Sequence, residues 1–269
     1  PGLGRTPAHP YDVAVLDSIL GSVRARLGEV IAAEASWRAE AADLPPAGDF
    51  AAALAGRGLS VIAEIKRRSP SAGDIDPDLD PASRARSYRD GGAAAVSVLT
   101  EPDHFGGSAD DLRAVREAVP LPVLRKDFVL HPAQVWQARV WGADAVLLIV
   151  AVLDGDLLAD LVGTTAEAGL TALVEIHGED EVEHAAAVGA RVIGVNNRDL
   201  STFRVDLGTA ERIRPLLPPG IVTVAESGVS DPAGAARMAA AGYDAVLVGE
   251  ALVRSPDPAA LLRSLREAR

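Results

Sequence analysis

The chain has 269 residues, 48% hydrophobic and 24% charged, enough length and apolar content for one large core. Its formal net charge of -12 argues against nucleic acid as a partner, because phosphate backbones are bound by basic surfaces, and any anionic ligand needs a local positive site. The absence of cysteine excludes disulfides, thiolate nucleophiles and cysteine-ligated zinc, and no run of about 18 apolar residues suggests a membrane span.

Residues 1–10, PGLGRTPAHP, have no apolar h-region and are expected to form a flexible leader, not a secretory signal. A cytoplasmic location follows as the expectation. Residues 11–58 are expected to form a helical extension. From Asp12 to about Ala42, the residues Val15, Leu16, Ile19, Leu20, Val23, Leu27 and Ile31 recur on one helical stripe. Pro45-Pro46 ends that segment, and Asp49 to Leu54 begins another short helix.

From residue 59 to 269 one pattern repeats: a short apolar strand, a polar loop, then a helix rich in Ala, Leu and Arg. The strands are VIAEIK at 61, AAVSVLT at 94, PVLRKD at 122, DAVLLIV at 144, TALVEI at 171, RVIGVN at 191, IVTVAES at 221 and DAVLVG at 244. Their spacing of roughly 20 to 33 residues is that of a strand plus a helix. Near-continuous Val/Ile/Leu/Ala runs suit strands covered on both faces, as in a parallel sheet. Ser108 and Asp110 suit the start of DDLRAVREA, and Asp231-Pro232 opens a helix with an N-cap and a proline at N1. GADAVLL and GYDAVLV echo one another at two helix-to-strand passages. Eight βα units fit an α/β fold of one domain, a (β/α)8 TIM barrel with an N-terminal helical extension, better than an open sheet.

Such a barrel collects function at the C-terminal ends of its strands. Polar residues interrupt the apolar runs there: Glu64 and Lys66, Lys126 and Asp127, Glu175, Asn196-Asn197-Arg198, Glu226-Ser227-Gly228, and Gly249-Glu250. A lone charge at a strand end usually just reaches water. Lysines and carboxylates recurring at the same end of strand after strand instead converge on one mouth, where they shift one another's pKa values and serve as acids and bases. The glycine-bearing loops after the last two strands suit a phosphate held by backbone N–H groups, or are ordinary turns. Neither a G-x-G-x-x-G opening a βαβ unit nor a Walker A motif occurs, so nucleotides are not indicated. The five histidines lack metal-ligand spacing. His177, beside Glu175, either lines the mouth or, as the preferred reading, is a loop histidine. Arg67-Arg68 is a basic rim or a solvated loop charge, and core packing accounts for Trp37, Trp136 and Trp141.

The segments IAEIKRRSPSAG, LRKDFVL, GADAVLLIVAVL, LVEIH, IGVNNRDLSTFRVD, VAESGVS and VLVGEAL closely resemble those of indole-3-glycerol-phosphate synthases, in order and spacing from about Val13 to the C-terminus. The combination is specific where no single piece is. The resemblance implies a cofactor-free, metal-free enzyme of tryptophan synthesis. It would convert 1-(2-carboxyphenylamino)-1-deoxyribulose 5-phosphate to indole-3-glycerol phosphate with release of carbon dioxide and water. It further implies Lys126 as general acid, Glu175 and Lys66 in the proton transfers, and Glu64 as the other catalytic carboxylate. Asn196 and Arg198 would hold the anthranilate end with Ser227 nearby. Ser69, Gly228, Gly249 and the backbone at Glu250 would hold the phosphate, and Phe105, Phe128 and Glu226 complete the expected substrate contacts. A small-molecule substrate and a monomer or weak homo-oligomer are expected. Other phosphate-binding barrels commonly use a Cys-Asp or Asp-Asp pair, which the first strand's Glu and Lys do not match. A scaffold barrel would lack catalytic residues, and none is missing.

Overall fold

The structure is a computed structural model that describes residues 10–56, 58–200 and 202–268. The expected leader lies outside these residues, except Pro10, which opens the first helix. Eight parallel strands close into a barrel: β1 (Ser60–Ile65), β2 (Ala95–Leu99), β3 (Val123–Lys126), β4 (Ala145–Ile149), β5 (Thr171–Ile176), β6 (Val192–Asn196), β7 (Val222–Glu226) and β8 (Ala245–Val248). Each strand pairs with its neighbours in sequence, and β1 closes the ring on β8, with Val61 opposite Val246. All eight lie within a residue or two of the expected segments.

Before the barrel come α1 (Pro10–Ala32), α2 (Glu34–Ala42) and α3 (Phe50–Leu54). The expected continuous helix to Ala42 is therefore two helices that meet at Ala33. The apolar stripe also overruns the surface it covers: Ile19, Leu20 and Val23 are buried, whereas Ile31 is exposed. Asp49 caps α3, accepting from Ala52 N at 2.9 Å. This short helix stoppers the barrel. Phe50 and Leu54 are fully buried against Ile62, Ala95 and Leu124, residues on the inner face at the N-terminal end.

Between the strands run α4 (Pro81–Asp90), α5 (Pro102–Phe105), α6 (Ala109–Ala118), α7 (Pro132–Trp141), α8 (Gly155–Glu167), α9 (Val182–Ala187), α10 (Gly208–Ile213) and α11 (Pro232–Ala240); α12 (Glu250–Arg254) and α13 (Pro258–Glu267) follow β8. Ser108 and Asp231 cap α6 and α11 as expected, accepting from Asp111 N and Gly234 N. The echoed GADAVLL and GYDAVLV have one structural meaning. Gly142 and Gly242 sit at φ of 96° and 89°, the left-handed region in which glycine ends a helix without a Cβ clash. The aspartates two residues on each accept the first free N–H of the preceding strand. Asp144 takes Val123 N and Asp244 takes Thr223 N, both at 2.8 Å. These sites lie at the N-terminal face, where such residues serve stability.

One surface expectation changes. Arg67 is no free rim charge: it grips the Asp111 carboxylate with both terminal nitrogens and donates to the carbonyls of Leu79 and Gly106. Its guanidinium is held above its ordinary range, chiefly by the Asp111 hydrogen bond. Trp136 is buried as expected, while Trp141 also forms a face for cations, with the Arg125 guanidinium 4.3 Å from its ring centre.

Candidate active site

Residues on the inner face alternate along each strand. From bottom to top β1 presents Ile62, Glu64 and then Lys66 at its exit; β5 presents Leu173 and Glu175; β7 presents Val224 and Glu226. Apolar layers fill the floor, and the last layer before solvent is charged. Above it opens a cavity of about 580 Å³. Glu64, Lys66, Ser69, Phe105, Lys126, Phe128, Glu175, Asn196, Arg198, Glu226, Ser227, Gly228, Gly249 and Glu250 all line it.

Lys126 Nζ stands 3.3 Å from Glu175 Oε2 and 3.4 Å from Glu226 Oε2. Burial pushes this ammonium down, but the carboxylates of Glu175, Glu226 and Glu64 outweigh it and hold it above the lysine range. The two glutamates respond in opposite directions. Burial raises both. For Glu175, Lys126, His177 and hydrogen bonds from Glu226 and Asn196 win, and its value falls below the ordinary carboxylate range. For Glu226, burial and the Glu175 charge outweigh Lys126, and its value stands well above that range. The two surroundings thus favour ionisation of Glu175 and oppose that of Glu226, as expected where two adjacent buried carboxylates do not both ionise.

Gly194 on β6 permits this meeting. A Cβ there would run into Glu226 Oε1 and come within 3.2 Å of Leu173 Cδ1. A glycine inside an apolar strand is the available sign of such close approach. Across the mouth, Lys66 donates to Glu64 Oε1 at 2.6 Å, the same-face pairing expected for positions two apart. A Cβ on Gly249 would collide with that Glu64 oxygen and lie 3.2 Å from Lys66 Nζ. The glycine thus leaves room for the Glu64–Lys66 pair beside the β8 loop.

At the end of β7, Ser227 adopts φ of 63°, a left-handed conformation rare for serine, followed by Gly228 at 90°. Asn197 holds this turn. Its Nδ2 donates to the carbonyls of Glu226 and Ser227, each at 3.1 Å, and its Oδ1 accepts Ala210 N. Ser69 Oγ accepts Ala72 N at 3.2 Å, shaping the loop that faces β7 and β8. Glu250 heads α12 and its carboxylate is engaged by Arg254 Nε at 2.8 Å; residues 249–251 line the cavity.

Sequence reasoning missed several lining residues. Leu16 and Ile19 from α1 cover the mouth, and Glu101, Phe203 and Arg254 enter its wall. Arg26 on α1 pairs with Glu101 and Asp103, and Glu101 in turn caps α5 through the N–H groups of Asp103, His104 and Phe105. That clamp ties the extension to the segment bearing Phe105. His177 stands in the loop after β5, as preferred, and is not among the residues lining the cavity; its Nε2 nevertheless lies 3.3 Å from Glu175 Oε1.

A parallel (β/α)8 barrel with lysines and carboxylates interlocked at its C-terminal mouth defines a class of enzyme that works by acid–base chemistry on a small molecule. The family model for indole-3-glycerol phosphate synthase matches residues 16–265. The indole-3-glycerol phosphate synthase of Mycobacterium avium is 51% identical over 253 residues, 93% of each chain, and that of Rhodococcus jostii is 52% identical over 248 residues, 91% of this chain and 92% of its own. The chain belongs to the indole-3-glycerol phosphate synthase family, carboxy-lyases of tryptophan biosynthesis. Among solved structures, 3-hexulose-6-phosphate synthase from Salmonella typhimurium matches with a TM-score of 0.64 at 17% identity, covering 78% of this chain and 98% of its own. That likeness concerns the fold alone.

Proposed function

We propose that this mouth closes the indole ring of 1-(2-carboxyphenylamino)-1-deoxyribulose 5-phosphate, with Lys126 as the general acid. The observation that carries the reading is the Lys126 ammonium lodged between Glu175 and Glu226 at the cavity floor. The carboxylates keep it protonated until the substrate ketone reaches it. As the ring carbon bearing the carboxylate attacks the ketone carbon, Lys126 delivers its proton to the ketone oxygen. The iminium so formed accepts the electron pair of the departing carbon dioxide. The new hydroxyl then leaves as water, with Glu175 and Lys66 handling the proton transfers and Glu64 holding Lys66 in place.

Asn196 and Arg198, with Ser227, suit the anthranilate carboxylate. Backbone N–H groups at Gly228 and at Gly249-Glu250, faced by Ser69, suit the phosphate. Phe105 and Phe128, whose ring centres are 6.4 Å apart, offer an apolar wall for the aromatic ring. The extension and barrel act as one domain, since Leu16 and Ile19 of α1 enter the same cavity. The reading carries no cofactor, a cytoplasmic location and a monomer or weak homo-oligomer.

The test is a fluorescence assay for indole-3-glycerol phosphate formed from the synthetic substrate. Lys126→Ala should lower kcat by about 10²–10⁴-fold while the protein stays folded. Near-normal turnover in a folded variant removes Lys126 from the role of acid.

A further inference from the structure

We infer that His177 is a positioning residue for Glu175, fixing its charge and orientation from the side opposite Lys126. This rests on the reading of Glu175 as the proton-transferring carboxylate. His177 follows Glu175 by two positions on the chain, so both project toward the same face at the exit of β5. The two oxygens of Glu175 are bracketed: Oε2 faces Lys126 Nζ at 3.3 Å, and Oε1 faces His177 Nε2 at the same distance. The other imidazole nitrogen, Nδ1, lies 3.8 Å from Glu181 Oε2. Glu181 is itself fixed, since the same oxygen accepts the His177 backbone N–H at 2.6 Å.

Both ring nitrogens are shut off from solvent, and neither makes a well-aligned hydrogen bond to any described residue. A buried polar ring without such a bond costs free energy and calls for an explanation. Here its field falls on a carboxylate whose low value depends in part on it. The charged groups around the imidazole are Glu175 beside it and Glu181 from the turn that follows. Beyond Glu175 stand Lys126 of β3 and Glu226 of β7. An imidazole on Oε1 leaves Oε2 for Lys126 and favours ionised Glu175 over protonated Glu175. Without it protonation of Glu175 is less strongly opposed.

The experiment compares pH profiles of kcat/KM for wild type, His177→Ala, His177→Gln and Glu175→Gln, with melting temperatures for each. Loss of the imidazole removes a group that favours the carboxylate, so the acid limb of His177→Ala should move to higher pH by about one unit. His177→Gln carries an amide N–H that reaches the place of Nε2 and should restore the wild-type limb. An unmoved acid limb in folded His177→Ala overturns the inference. So do two variants that lose activity only in step with melting temperature, which would make His177 a packing residue. Wild-type turnover by Glu175→Gln overturns both this inference and the assignment of Glu175. An inactive Glu175→Gln together with an unmoved His177→Ala limb defeats the inference alone.

Discussion

Glu175 and Glu226 carry the same chemical group beside the same ammonium, yet their surroundings drive them apart. Burial and the neighbouring charge of Glu175 oppose the ionisation of Glu226 and raise its value well above the ordinary carboxylate range. A carboxyl raised in the folded state contributes stability that is complete below the ordinary carboxylate range and is lost as pH climbs through the raised value. Glu226→Gln imitates the protonated acid and removes that dependence. Its melting temperature should therefore fall less than that of wild type as pH rises above the ordinary carboxylate range. Parallel curves would show that Glu226 is ionised. In the same variants Glu175→Gln should lose about 10²–10⁴-fold in kcat, and Glu226→Gln far less. Gly249→Ala pushes a Cβ into the Glu64–Lys66 pair. Steady-state kinetics should show kcat falling about tenfold or more, whereas a change confined to KM would mean the glycine serves only an anion. The charges themselves were legible in the sequence because each interrupts an apolar run. Their partition into ionised and neutral was not, because it depends on Gly194 letting two strands' side chains meet.

Among the elements, α3 shows how the barrel is closed at the end away from the chemistry. Phe50 is wholly buried against the innermost layer of β1, β2 and β3. Phe50→Ala should cost about 3–5 kcal/mol in urea unfolding, with kcat little changed at temperatures where the variant is folded. A loss under about 1 kcal/mol would mean that the stopper does not bear on the core. The strands and the caps at Ser108 and Asp231 were readable because periodicity and turn chemistry are local. The position of α1 over the mouth was not. Its stripe told which face is apolar, but the Arg26 clamp onto Glu101 and Asp103 joins residues about 75 apart in sequence. For the same reason the local sequence marks Arg67 only as a rim or solvated loop charge, since its partner Asp111 is 44 residues away.

At the scale of the whole molecule, an acidic protein with a net charge of -12 must hold a substrate that carries both a phosphate and a carboxylate. The global field opposes it, so the chain concentrates cations in one mouth and engages each in advance. Lys66 pairs with Glu64, Lys126 with Glu175, and Arg254 with Glu250, while Arg198 donates to the Phe203 carbonyl. On the proposed reading the phosphate falls to backbone N–H groups in the loops after β7 and β8, and the reacting carbonyl lies across the cavity at Lys126. The most direct measurement is a crystal structure with indole-3-glycerol phosphate bound. The expected result is the phosphate on the backbone at Gly228 and Gly249-Glu250 opposite Ser69, with the indole ring against Phe105 and Phe128 and directed at Lys126 and Glu175. A phosphate seated on Lys126, with the ring turned toward Gly249, would contradict it.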